Sequence, residues 1–214
     1  MVYTMIHQTQ YRTVIVANGT FPSHSIPLDI LRNAERIIAC DGSTQKLINH
    51  GFEPNVIVGD LDSLADQYKE IYKDRIYHFP SQEDNDLTKA VNWCTNQGID
   101  QLAIIGATGE REDHTLGNIF LLPNYAKQLN VTMFTDHGYF VPLLSSQGIN
   151  CTPGQQISIF STHPDNIISS SGLKYPIIRR PLSQLWMGTL NECEADKFTL
   201  DFSPHPLIVF LQYQ

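Results

Sequence analysis

Between Arg12 and Thr108 the chain passes through five short apolar runs, RTVIVANG, RIIACDG, NVIVGD, RIYHFP and QLAIIGAT, each running into Gly, Asp or Pro. Continuous β-branched runs of this length predict strands buried on both faces. Between them SIPLDILRNA, STQKLINHG and NDLTKAVNWCTNQG open on Ser or Asn/Asp, which predicts helix caps, and the last two close on glycine. In NDLTKAVNWCTNQG, Leu87, Ala90, Val91 and Cys94 recur at helical spacing and form an apolar stripe. Strand and helix in alternation predict a mostly parallel sheet with helices flanking it.

The pattern changes after Asp136. A helix from about His114 to Gln128, kinked at Pro123, leads into the strand VTMFTD. Beyond it come GYFVPLL, QQISIFS, GLKYPI, PLSQLWMGTL, KFTLDFS and LIVFLQ, separated by clusters of Pro, Gly, Ser, Asn and Asp. Short strands at such spacing predict an antiparallel sandwich or barrel, of which the sandwich is the expected form. The expected fold class is therefore α/β followed by all-β, as an α/β domain over residues 1–135 and a β-sandwich over 136–214.

Candidate chemistry gathers at the ends of the apolar runs. Asp41 lies in ACDGS, Asp60 and Asp62 in VGDLDS, and Asp86 opens the helix of QEDNDLTKA. In an open parallel sheet, ligands bind beyond the carboxyl ends of the strands, where these four side chains are expected to converge. An Asp after a strand is also a turn former or a helix cap, and Asp86 alone reads as an N-cap, so the inference rests on the set. Clustered carboxylates repel one another unless a cation lies between them, and hard oxygen ligands suit Mg2+. In GATGEREDHTLGN, Gly106 and Gly109 allow close approach of a phosphate, Arg111 offers a fork of donors, and Asp113 with His114 opens a helix. His114 at a helix start reads as structural or phosphate-facing more readily than as a proton acceptor. There is no G-x-x-x-x-G-K-[ST] and no G-x-G-x-x-G, which argues against a P-loop kinase and a dinucleotide oxidoreductase. Tyr175 and Trp186 are able to stack on a flat heterocycle, although aromatics in a small β domain usually belong to its core.

Charge and composition narrow the partners. With 14 basic and 22 acidic residues among 214, the chain carries a net charge of -8, which argues against a nucleic-acid partner, since that affinity rests on Lys and Arg. The N-terminal MVYTMIHQTQYRT has neither a charged nor an apolar leader region, and no run approaches a membrane span, so a cytoplasmic protein without a membrane partner is expected. Cys40, Cys94, Cys151 and Cys193 are widely spaced and are expected to be buried thiols.

Taken in order and spacing, ACDGS, GDLDS, NDLTKA, GATGEREDHTLGNI and GLKYP resemble the thiamine pyrophosphokinase (thiamine diphosphokinase) family, from about Val14 to the C-terminus. The resemblance implies an N-terminal α/β catalytic domain, a C-terminal β-sandwich that binds thiamine, and a homodimer with the thiamine site at the subunit interface. It implies transfer of pyrophosphate from ATP to the hydroxyl of thiamine, giving thiamine diphosphate and AMP with Mg2+ as cofactor. By motif it makes Asp41, Asp60, Asp62 and Asp86 the metal-binding and catalytic acids, with Asp113 a further catalytic candidate. It implies ATP contacts from Asp41, Gly42, Ser63, Thr88, Lys89, Arg111 and His114, and thiamine contacts from Gln82, Asp113 and Tyr175. The sequence departs from the family pattern at Asn85, where Thr is usual, at Glu83, where Asp is usual, and in the late segment TLNECE. Another Mg-dependent phosphotransferase or nucleotidyltransferase and a non-catalytic thiamine-binding protein are the rival readings.

Overall fold

The computed structural model describes residues 11–214, so the start of the expected 1–135 domain and most of the leader reading lie outside the described residues. The described chain forms two compact units, one from residues 11–119 and 128–136, the other from 120–127 and 137–214.

In the first unit the strands are β1 (Thr13–Val16), β2 (Arg36–Cys40), β3 (Val56–Gly59), β4 (Ile76–His78), β5 (Gln101–Ile105) and β6 (Asn130–Phe134). Their order is β6-β5-β1-β2-β3-β4, and every pair is parallel. All four residues of β1 and of β3 are buried, as expected of strands covered on both faces. The helices are α1 (Ser25–Arg32), α2 (Thr44–Asn49), α3 (Asp66–Ile71), α4 (Asp86–Asn96) and the start of α5 (Glu112–Ala126), whose residues from Phe120 belong to the second unit. Helix α4 packs on β1, β2 and β3 through the stripe read from the sequence, with Leu87, Ala90, Val91 and Cys94 all buried. Helix α3 carries only one buried residue, Tyr68, so its apolar pattern is too sparse to read from sequence.

The two serine caps are not caps, whereas the Asn/Asp cap of the third segment falls on Asn85. Helix α1 is capped by His24, whose Nδ1 accepts from the Ile26 amide, and not by Ser25. Ser43 precedes α2, but its hydroxyl is buried and donates to the carbonyls of Val16 and Cys40, so it ties strand ends together instead of capping. At α4 the cap is Asn85, in extended conformation, whose Oδ1 accepts from the Thr88 amide at 2.8 Å. Asp86 is therefore the first helical residue, with its carboxylate available for other partners.

The second unit contains two antiparallel layers. One has the order β12-β9-β14-β7, from β7 (Gly138–Leu143), β9 (Gln156–Ser161), β12 (Asn191–Glu192) and β14 (Leu207–Gln212). The other has the order β11-β10-β13-β8, from β8 (Gln147–Asn150), β10 (Ile167–Ser171), β11 (Arg180–Pro181) and β13 (Lys197–Ser203). Strand β13 alternates strictly, burying Phe198, Leu200 and Phe202 in one core with Ile157 and Ile159 of β9, Ile168 of β10, and Leu207, Val209 and Leu211 of β14. That shared core makes the two layers a sandwich. Phe198 is fully buried, and Phe198→Ala is expected to cost about 3–5 kcal/mol of stability by leaving a cavity, checked by denaturant unfolding.

Two expected strands are not strands. Beyond Pro181, the end of β11, PLSQLWMGTL holds a 3-10 turn over Leu185–Gly188, where Gly188 approaches so closely that a Cβ there would lie 2.1 Å from the Ile159 carbonyl oxygen. GLKYPI is a loop with one bridge, Leu173 to Cys193. Nor do Tyr175 and Trp186 enter the core: they are 62% and 72% exposed. Strands β8 and β10, QGIN and IISSS, are too polar to signal themselves and form by pairing with β13. Among the described residues, no helix is long and apolar enough to cross a membrane.

Candidate active site

The first unit changes direction at β1, which has β2 on one side and β5 on the other, so crossovers leave the sheet in opposite senses there. A cavity of about 450 Å³ opens beyond the carboxyl ends of these strands, lined by Asn18, Cys40, Asp60, Asp86, Thr108 and Arg111 among others. This is the switch-point crevice where ligands of open α/β sheets bind.

Asp41, Asp60 and Asp86 reach the same point from three elements, and each offers a carboxylate oxygen within 4.8 Å of the others. Asp41 follows β2 and is 1% exposed; its carboxylate accepts from the Gly42 and Leu61 amides. Asp60 follows β3, in a turn where Leu61 adopts φ 68°, a strained value for a side chain with Cβ and one that aims its amide at Asp41. Asp86 opens α4. Gly59 is required at the end of β3, because a Cβ there would lie 2.8 Å from the Asp41 Cβ and Cγ. Gly59→Ala is expected to displace Asp41 and to reduce turnover far more than a surface alanine would, with both turnover and thermal midpoint measured.

Lys89, one turn into α4 and 4% exposed at its side chain, places Nζ 3.1 Å from Asp60 Oδ2 and 3.0 Å from Asp86 Oδ1. Burial works against the Lys89 charge, but hydrogen bonds to Asp86 and Asp60 outweigh it and raise its pKa. The same contact, with the Asp62 amide and the Gln82 side chain, holds Asp60 down to about 2. Asp41, by contrast, is pushed up to about 6 by burial and by the Asp86 charge. One lysine thus compensates three carboxylates only in part, and the oxygen-only donor set with residual negative charge fits a hard divalent cation.

The other sequence-selected residues divide clearly. Asp62 stands outside the trio; its carboxylate accepts from Ser63 Oγ at 2.9 Å, and both residues line the cavity. Gln82 lines it and donates to Asp60 Oδ2 at 2.8 Å. Asp41, Gly42, Thr88 and Asp113 are not part of the lining. Arg111 and His114 are; Arg111 forks onto Asp113, and that contact with the His114 amide holds Asp113 to about 2. Arg111→Ala is expected to raise Asp113 towards the ordinary carboxylate range, with the His114 amide still holding it somewhat below, and to leave the thermal midpoint unchanged because the pair is exposed, as a carboxylate NMR titration would show. Tyr175 belongs to the other unit, where Asn191 clamps its backbone: Asn191 Oδ1 accepts from the Tyr175 amide, and Nδ2 donates to its carbonyl. The departing segment TLNECE therefore contributes Asn191 as a support for Tyr175.

Asn118, which stands out in no local sequence pattern, lies 9% exposed in the lining. Its Nδ2 donates to the Ala107 carbonyl, and its Oδ1 accepts from Asn85, so it joins the end of β5 to the cap of α4. Its only trace in the sequence is the i, i+4 spacing from His114.

A family model described as thiamin pyrophosphokinase, catalytic domain, matches residues 28–134, and one described as thiamin pyrophosphokinase, substrate-binding domain, matches residues 138–210. Thiamin pyrophosphokinase 1 of Caenorhabditis elegans is 24% identical over 162 residues, 69% of this chain and 66% of that protein. Thiamine pyrophosphokinase of Bacillus subtilis is 35% identical over 89 residues, 40% of this chain and 42% of that protein. In architecture the chain is similar to the solved Bacillus subtilis thiamine pyrophosphokinase, with TM-score 0.75, 23% identity, and coverage of 94% of this chain and 99% of that one. The Candida albicans thiamin pyrophosphokinase structure gives TM-score 0.79 at 16% identity, covering 96% of this chain and 94% of that one.

Proposed function

The chain belongs to the thiamin pyrophosphokinase family, and from that premise we propose that it transfers pyrophosphate from ATP to thiamine, yielding thiamine diphosphate and AMP. The observation that carries this reading is the carboxylate trio of Asp41, Asp60 and Asp86, with Lys89 paired to the last two, beside the switch-point cavity that Asp60, Asp86, Arg111 and His114 line.

In this reading Asp41, Asp60 and Asp86 would hold Mg2+, with Asp62, which lines the cavity beside Asp60 and Asp86, as a further member of the group. Bound there, Mg2+ supplies neutralisation of the phosphate oxygens and of charge developing on the departing AMP. Gly42, Ser63, Thr88, Lys89, Arg111 and His114 are assigned to ATP, and Gln82, Asp113 and Tyr175 to thiamine. The thiamine hydroxyl oxygen attacks the β-phosphorus; the bond from that phosphorus to the oxygen of the α-phosphate breaks, and AMP leaves with the electron pair. Catalysis is then chiefly positioning and electrostatics. The hydroxyl proton goes to a carboxylate, for which Asp113 and Asp86 are the candidates. In the present arrangement Arg111 keeps Asp113 a weak base, so phosphates that draw Arg111 away would also make Asp113 a better acceptor.

A cationic thiazolium suits both an acidic cavity and the exposed ring of Tyr175. Exposed Tyr175, Ile178, Trp186 and Leu190 on the second unit support a homodimer, for which sedimentation is the check. Four free, buried cysteines agree with a reducing, cytoplasmic setting.

The test is incubation of the purified chain with ATP, Mg2+ and thiamine, with all products quantified. AMP and thiamine diphosphate in equal amounts are expected. ADP or free pyrophosphate instead would indicate another phosphotransferase or a nucleotidyltransferase, and thiamine binding without AMP release a non-catalytic binder.

A further inference from the structure

The second unit holds a separate cluster of metal-ligating side chains, His163, Asp165 and His205, each with a ligand atom within 4.8 Å of the others. His163 and Asp165 lie in the connection from β9 to β10, and His205 in the turn from β13 to β14, some forty residues later. Strand register brings them together. The end of β9 pairs with the start of β14, Ser161 opposite Leu207, while the start of β10 pairs with the end of β13, Ile167 opposite Ser203. Both connections therefore cross between the two layers at the same end of the sandwich.

The backbones carrying these ligands are fixed from below. Asn166 is fully buried; its Nδ2 donates to the His205 carbonyl at 2.9 Å, and its Oδ1 accepts from the His205 amide at 3.2 Å. Ser161, 6% exposed, donates its hydroxyl to the His163 carbonyl at 3.0 Å and also receives Asn166 Nδ2. The imidazoles themselves stack with centroids 3.7 Å apart, and His205 Nε2 lies 3.5 Å from Asp165 Oδ2. His163 and Asp165 are exposed and His205 half-buried, which leaves an open path for an ion.

We propose that His163, Asp165 and His205 form a binding site for a divalent transition-metal ion, Zn2+ in the first instance, that clips the two connections of the β-sandwich together. Two imidazole nitrogens and one carboxylate oxygen are a donor set that suits Zn2+ or Co2+ and disfavours Mg2+ and Ca2+, which take oxygen ligands. Three protein ligands leave the fourth tetrahedral position to water. Because the ligands belong to separate connections, the ion would stabilise the folded unit by binding it and not the unfolded chain. The site is chemically distinct from the all-carboxylate trio of the first unit, so the two are separable by variant.

The experiment is titration of the full chain with Co2+ and with Zn2+, followed by cobalt absorption, calorimetry and thermal midpoint. The wild-type chain and Asp60→Asn are both expected to take up one Co2+ with histidine-type visible absorption and to melt at higher temperature with Zn2+. His163→Ala and Asp165→Asn, at exposed positions, are expected to fold normally and to lose this absorption. Their affinity should fall by more than the ~10–100-fold that an outer-shell partner costs. The proposal is overturned if the His163→Ala and Asp165→Asn isotherms match that of the wild type. It is equally overturned if the cobalt absorption vanishes in Asp60→Asn, or if the wild-type chain binds neither ion.

Discussion

Asp60→Asn is expected to lower kcat by about 10² or more at saturating Mg2+ while leaving a folded protein, the scale of losing one strong transition-state contact. The substitution keeps the shape and the turn after β3 but removes one of three negative charges that meet within 4.8 Å. It also turns an acceptor shared by Lys89 and Gln82 into an amide, which can no longer offer both of them a charged oxygen. Lys89 retains Asp86 at 3.0 Å, so the buried ammonium keeps a counter-charge and the fold survives. Turnover near that of the wild type, with an unchanged thermal midpoint, would remove Asp60 from the catalytic group.

Lys89→Met should act first on stability. Removing one partner of a buried ionic cluster leaves uncompensated charge, at a cost of about 3–5 kcal/mol. The deficit has a defined pH dependence. Asp60, held to about 2 by Lys89, contributes stability that is present above its ordinary value of 3.8 and lost as pH falls through about 2. Asp41, raised to about 6, does the opposite: its penalty appears as pH rises from 3.8 to about 6. Without the lysine, the first contribution disappears and repulsion within the trio grows. The Lys89→Met deficit should therefore be largest above about pH 6, shrink in part towards pH 4 as Asp41 protonates, and lose its Asp60 part only as pH falls from 3.8 to about 2. Added Mg2+ should recover part of the lost thermal midpoint at neutral pH, since a cation replaces the missing charge. A deficit independent of both pH and Mg2+ would mean that Lys89 serves packing alone.

The parallel strands of the first unit are legible because burial on both faces demands continuous β-branched runs, and β1 and β3 are such runs. Strand β13 is legible for the converse reason, since one face to the core and one to water imposes strict alternation. Where neither rule applies the sequence is mute. QGIN and IISSS become strands only because β13 offers them backbone partners. PLSQLWMGTL is apolar enough for a strand, yet beyond Pro181 it turns aside, where Gly188 approaches the Ile159 backbone.

The candidate site follows the same division. Asp41, Asp60 and Asp86 are visible as a set of acids at the ends of strands and the start of a helix, although each taken singly also reads as a turn former or a cap. Their convergence, the exclusion of Asp62 from the trio, and the burial of Lys89 among them depend on the register of β2, β3 and α4, which no local pattern encodes. Asn85 rather than Asp86 caps α4, a choice made by one extended backbone conformation. The sequence alone determined the fold class and set acids at strand ends and at a helix start, since hydrophobic period and strand-end chemistry are local properties of the chain. Only the tertiary structure decided which side chains meet, how Lys89 divides the charge among them, and that His163, Asp165 and His205 stand together, because contacts between distant segments are set by packing.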